Sequence, residues 1–140
     1  MGSLGRGSGT VKVLLDTSVL VAGLVASHPD HQRASAWLRR AAAKDVGAFV
    51  SPHSLAEVYS VLTRTPFRPP ISAAAAWEAL SQDILAHVTV VPLLPEDYKS
   101  VLEHNAQAGI IGGATYDTLI IQAAREATVD YLITLNVKHF

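Results

Sequence analysis

The sequence predicts an α/β domain, a three-layer α/β/α sandwich around a mainly parallel sheet. Two observations carry this. Short apolar, β-branched runs at 11–15, 48–50, 88–93 and 131–134 alternate with segments of helical length and spacing, the order expected of a parallel sheet with covering helices. The first run, Val11-Lys12-Val13-Leu14-Leu15, is apolar almost throughout, as a strand buried on both faces at a sheet centre must be. The 140 residues suit one domain, spanning 11–140. Residues 1–10, rich in Gly and Ser, read as a flexible lead or an expression remnant.

The elements follow in order. After the strand at 11–15, Ser18 can cap a helix through Val25, with Asp16 and Thr17 as alternative caps. His28-Pro29-Asp30 breaks it, and Asp30 caps a helix whose apolar face is Ala34, Trp37, Leu38 and Ala41. Ala48-Phe49-Val50 is the second strand. Ser51 as N-cap and Pro52 at the first helical position start a helix to about Arg64. The Pro-rich link 65–70 leads to a helix capped by Ser72, running to about Ala86, with Trp77, Leu80, Ile84 and Leu85 on its buried side. The third strand, 88–93, contains Pro92, which confines it to an edge or ends it early. A helix from Glu96 to Gln107 stops at Gly109, a loop spans 110–113, and a last helix runs from Ala114 to about Ala127. Tyr131 to Thr134 is the final strand.

Composition excludes several classes. There is no cysteine, hence no disulfide, thiolate metal site or cysteine nucleophile. No segment reaches the ~20 apolar residues of a membrane span, and a cytoplasmic location fits. The net charge of −1 argues against a broad nucleic-acid-coating surface, yet it permits a local basic rim beside an acidic site. Charged residues are only 16% of the chain, which leaves surface for a partner or a second copy to cover.

Three carboxylates stand where ordinary surface charges do not. Asp16 ends the buried first strand, where ligands bind in open α/β sheets. Glu57 lies in the helix after the second strand, and Asp117 near the start of the last helix. Right-handed crossovers can bring all three to one sheet edge. At ~4 Å and an effective dielectric near 20, each like-charge pair repels by roughly 4 kcal/mol, and the usual relief is a proton or a cation. Oxygen ligands select a hard ion such as Mg²⁺ or Mn²⁺. Each acid also has a plainer role open to it. Asp16 can cap the next helix, Ser54 and Glu57 match a capping box, and Asp117 favours a helix N-terminus.

Four stretches together resemble the PIN domains of VapC-type toxin ribonucleases. They are Leu-Leu-Asp16-Thr-Ser-Val-Leu, Ser51-Pro-His-Ser-Leu-Ala-Glu57-Val, Tyr116-Asp117-Thr-Leu-Ile-Ile-Gln-Ala-Ala, and Tyr131-Leu-Ile-Thr134-Leu-Asn136-Val-Lys-His-Phe140. The resemblance covers Val11 to Phe140. It implies a Mg²⁺-dependent endoribonuclease, with Mn²⁺ as a substitute, that hydrolyses RNA to 5′-phosphate and 3′-hydroxyl ends. It also implies a homodimer and a VapB-type antitoxin partner. Asp16, Glu57 and Asp117 fall on the family's acidic metal positions, and Thr134 on its small hydroxyl residue. Asn136 stands where many members carry a fourth acid, which disfavours a tightly held second metal.

Ser18 and Thr134 are candidates to hold the ligands in place. Arg64, Arg68 and Lys138 are candidates for RNA phosphate contacts. His28, His31, His53, His87 and His104 show no metal-ligand spacing and carry no assignment, and His139 reads as a surface or packing residue. Two rivals remain. One is an aspartyl-phosphate domain with Asp16 as nucleophile, disfavoured because Ser18 stands where such haloacid-dehalogenase-like enzymes carry a second Asp. The other is a degenerate, non-catalytic docking module marked by Asn136.

Overall fold

A computed structural model describes residues 9–140. Most of the lead expected over 1–10, and the side chain of His139, lie outside the described residues. The elements are β1 (Lys12–Leu15), α1 (Thr17–Leu24), α2 (His31–Ala42), β2 (Gly47–Val50), α3 (Pro52–Arg64), α4 (Ala73–Ala79), β3 (Thr89–Val90), α5 (Pro95–Ala108), α6 (Ala114–Glu126) and β4 (Tyr131–Ile133). A π-helical segment, Leu80–Leu85, continues α4, and a 3₁₀ turn, Val137–His139, follows β4.

The sheet order is β3-β2-β1-β4, and every pairing is parallel. The chain therefore steps from β1 to β2 to β3 in one direction and then crosses back to place β4 on the other side of β1. Right-handed crossovers in opposite directions put helices on opposite faces. The core shows this. Val13 and Leu15 point into a large cluster with Val19, Leu20, Leu38, Val58, Leu62, Leu80 and Ile84 from α1 through the π turn. Leu14, between them, points the other way, against Val91 of the strand-end segment and Ile120 and Ala123 of α6. All three β1 side chains are fully buried. The period-2 alternation of a strand is what separates the two layers.

Local choices match the sequence at most ends. Pro52 opens α3, and Ser72 Oγ accepts from the Ala75 N–H at 3.1 Å. Gly109 closes α5 with φ 75°, a left-handed conformation that glycine adopts without strain. Asp97 Oδ2 accepts from the Leu94 N–H at 2.7 Å and so ties down the start of α5.

Four expectations are corrected. The cap of α1 is Asp16, whose Oδ1 accepts from the Thr17 N–H at 2.7 Å, and not Ser18, which lies inside the helix. Ser54 and Glu57 form no capping box, because α3 already begins at Pro52 and both sit in its interior. The third strand shrinks to Thr89–Val90 at the sheet edge, since Pro92 has no N–H to extend the ladder. Trp77 is 57% exposed. The buried stripe there is Ala76, Leu80 and Ile84, spaced by four, and the small Ala76 allows close approach while its bulky neighbour turns outward.

Leu14→Ala should cost about 2–5 kcal/mol by denaturant unfolding, and Trp77→Ala should stay near the ~0.5 kcal/mol of surface changes. A reversed ranking would contradict the layer assignment.

Candidate active site

The carboxyl ends of β1 and β4 mark the point where the strand order reverses, the place where open α/β sheets form a ligand crevice. A cleft of about 1000 Å³ lies there. Asp16, Thr17, Ser18, Glu57, Val61, Tyr116, Asp117, Asn136 and Lys138 are among its lining residues.

Asp16 is 4% exposed and fully engaged. Its N–H donates to the Ile133 carbonyl at 3.0 Å, which fixes the backbone against β4. Oδ1 accepts from the Thr17 N–H at 2.7 Å. Oδ2 accepts from Ser18 Oγ at 2.9 Å and from Thr134 Oγ1 at 2.7 Å. The two hydroxyls are themselves oriented, because Ser18 Oγ accepts from the Leu135 N–H at 3.0 Å and Thr134 Oγ1 from the Asn136 N–H at 2.9 Å. Bonds to an ionised acceptor are worth about 1.5–3 kcal/mol each. The buried carboxylate is thus held in one orientation by groups from both ends of the chain.

Glu57 is reached from α1. The single hydroxyl proton of Thr17 has two acceptors in range, Glu57 Oε1 at 3.0 Å and the buried Ser54 Oγ at 2.9 Å. His53, one turn earlier on α3, places Nε2 3.6 Å from Glu57 Oε1. Asp117 enters from the first turn of α6 and is half-buried at the cleft wall.

The three expected acids therefore share one cleft, each on a different element. They are not clenched into a cage: among the described residues no three His, Asp or Glu side chains form a ready-made metal cluster. The donor set is nonetheless carboxylate, hydroxyl and amide oxygen, which fits a hard divalent ion. Mg²⁺ in particular keeps several waters and takes only one or two carboxylates from the protein, so an open arrangement suits it.

Ser18 and Thr134 stand where expected, both bonded to Asp16. Asn136 is exposed and lines the cleft, as does Lys138. Arg64 and Arg68 are exposed and do not line it. Arg64 lies beyond Val61 on α3, and Arg68 belongs to the link that follows. Sequence reasoning missed Thr17 and His28 as cleft groups, and His53 as the group packed behind Glu57. The i,i+4 spacing of His53 and Glu57 on one helix face was the available signal for His53. Nothing in the local sequence pairs Thr17 with α3.

Thr134→Val keeps the shape but removes a donor to a buried carboxylate. It should cost about 1–3 kcal/mol, with recovery in Thr134→Ser, by denaturant unfolding. Unchanged stability in the valine variant would mean that Thr134 does not hold Asp16.

Comparison with known proteins agrees with this geometry. The PIN domain family model matches residues 13–139. Ribonuclease VapC40 of Mycobacterium tuberculosis is 38% identical over 112 residues, covering 80% of this chain and 78% of that protein. Ribonuclease VapC27 of the same organism is 37% identical over 112 residues, covering 80% and 76%. Among solved structures, M. tuberculosis VapC20, described as a Sarcin-Ricin loop cleaving toxin, superposes with TM-score 0.70 at 18% identity, over 91% of this chain and 92% of that one. VapBC2 from Rickettsia felis, bound to a DNA fragment from its promoter, gives 0.59 at 21% identity, over 91% and 90%. These structural likenesses speak for the fold, while the sequence matches carry the membership. The chain belongs to the PIN domain family, among its VapC-type members.

Proposed function

We propose that this protein is a metal-dependent endoribonuclease, the toxin of a toxin–antitoxin pair, that hydrolyses RNA phosphodiester bonds at the β1/β4 cleft. The observation that carries the reading is the meeting of Asp16, Glu57 and Asp117, from three elements, in one cleft at the sheet's switch point. Relatives named as VapC ribonucleases support the activity. An antitoxin partner is part of the proposal, and the fold neighbours include VapBC2 bound to a fragment of its promoter and FitAcB from Neisseria gonorrhoeae. A homodimer belongs to the same proposal, and the low share of charged residues favours a covered surface.

Asp16 and Asp117 would hold the Mg²⁺ or Mn²⁺ ion, with Glu57 directly or through water. When bound, the ion supplies positive charge to the phosphoryl oxygens and acidifies a water. The chain's own residues do the positioning. Ser18, Thr134 and the Thr17 N–H keep the Asp16 carboxylate aimed. The Thr17 hydroxyl ties α1 to Glu57. Lys138, at the cleft wall, gives a phosphate contact that places RNA without reading its sequence. Asn136 offers an amide oxygen and no charge, so the site favours one firmly held cation over two. Family membership takes the place of the aspartyl-phosphate reading, and Ser18 binds Asp16 where that chemistry would want a second acid. No helix among the described residues is long and apolar enough to cross a membrane.

Purified protein with Mn²⁺ should cleave RNA, and EDTA should stop it. Loss of a group that merely orients a ligand costs about 10–100-fold, so Asp16→Asn and Asp117→Asn should each lose at least that. A folded Asp117→Asn protein that cleaves at the wild-type rate would overturn the reading, as would a metal-loaded wild type inert on all structured and unstructured RNAs.

A further inference from the structure

The cleft is poor in positive charge. Among the described residues that line it, Asp16, Asp30, Glu57 and Asp117 stand against Lys138 as the one Lys or Arg. Apart from the proposed cation, the protein's own side chains give a phosphate backbone few contacts there, which leaves a place for a contact that charge does not supply.

An aromatic pair occupies that place. Tyr116 lies one residue before Asp117, in the first turn of α6. Its ring is stacked on the ring of His53 from α3, with centroids 4.4 Å apart and planes within 7°. His53 is half-buried, and its Nε2 is enclosed without a hydrogen-bond partner, 3.6 Å from Glu57 Oε1. A ring so packed is a fixed backing plate. Tyr116 is 46% exposed and lines the cleft. The stack therefore offers a rigid aromatic surface beside the proposed catalytic carboxylates, and it has no role in the folding core.

We propose that Tyr116, braced by His53, is a stacking platform for an unpaired nucleobase next to the scissile phosphate, a positioning contact for the RNA. This rests on the ribonuclease reading of the same cleft. Bases in an A-form duplex are stacked on their neighbours, whereas loops and ends can splay a base onto an aromatic side chain. Stacking is tolerant of sequence because every base has a π-face.

The test titrates a single-stranded oligoribonucleotide carrying 2-aminopurine, and its duplex, with the protein in EDTA, so that binding is read without cleavage. Wild type, Tyr116→Phe and Tyr116→Trp should quench the fluorophore and bind alike. Tyr116→Leu should lose the quench and bind roughly 5- to 100-fold more weakly. His53→Ala should weaken binding, and His53→Phe, which keeps the stack without the ring nitrogen, should restore it. These paired variants decide the matter even if Tyr116→Leu folds poorly. Equal quench and affinity in wild type and Tyr116→Leu would overturn the platform, as would duplex bound as tightly as single strand. In either case a wild type that cleaves RNA with Mn²⁺ leaves the ribonuclease reading standing. If the wild type neither binds nor cleaves any RNA, that reading falls and the platform with it.

Discussion

The bonding of the Asp16 carboxylate is the constraint on which the structure turns. A charge that is 4% exposed at the end of a fully buried strand is tolerable only if hydrogen bonds replace its water. Three donors do so, and they come from residues 17, 18 and 134. Satisfying one buried acid thus draws the segment after the last strand onto the start of the first helix. The parallel pairing of β1 with β4 and this polar lock are two parts of one junction. The junction in turn sets the floor of the cleft.

The remaining acids are kept apart by the same architecture. Glu57 rides on α3, on one face of the sheet, and Asp117 on α6, on the other. Each helix is fixed by its own apolar stripe, Val58 and Leu62 in one case, Ile120 and Ala123 in the other. Packing energy therefore holds like charges in a shared cleft that they would not choose by themselves. An open acidic cleft is the form such a compromise takes. The proposed hydrated hard cation would relieve the repulsion without requiring the carboxylates to touch. The His53–Tyr116 stack bridges α3 and α6 and joins the two helices by ring surface beside their carboxylates.

Much of this was written into the sequence through periodicity. The unbroken Val13-Leu14-Leu15 run announced a strand buried on both faces, and Pro52 marked the start of α3. The acids stood out because Asp16 interrupts an apolar run and because Glu57 and Asp117 sit within or just ahead of apolar helix faces. What stayed hidden depends on contacts between distant residues. The tie from Thr17 to α3 spans residues 17 to 57, and no local pattern encodes it. Trp77 misled because a large aromatic in an Ala-rich helix looks like its core anchor, whereas Ala76 makes the contact. Arg64, at the end of α3, and Arg68, in the link after it, are exposed and lie outside the cleft lining. His53 illustrates the limit most plainly: its spacing to Glu57 was legible, but its stacking on Tyr116 required α6 in place.

The central claim is that three carboxylates from three elements act as one hard-cation site. Titration of the protein with Mn²⁺ followed by electron paramagnetic resonance, with Mg²⁺ as competitor, tests it most directly. Mn²⁺ should bind saturably and be displaced by Mg²⁺, with a loss of at least ~10-fold in affinity in each of Asp16→Asn, Glu57→Gln and Asp117→Asn while the fold is kept. Wild-type affinity in folded Glu57→Gln and Asp117→Asn proteins, or no saturable binding by the wild type, would contradict it.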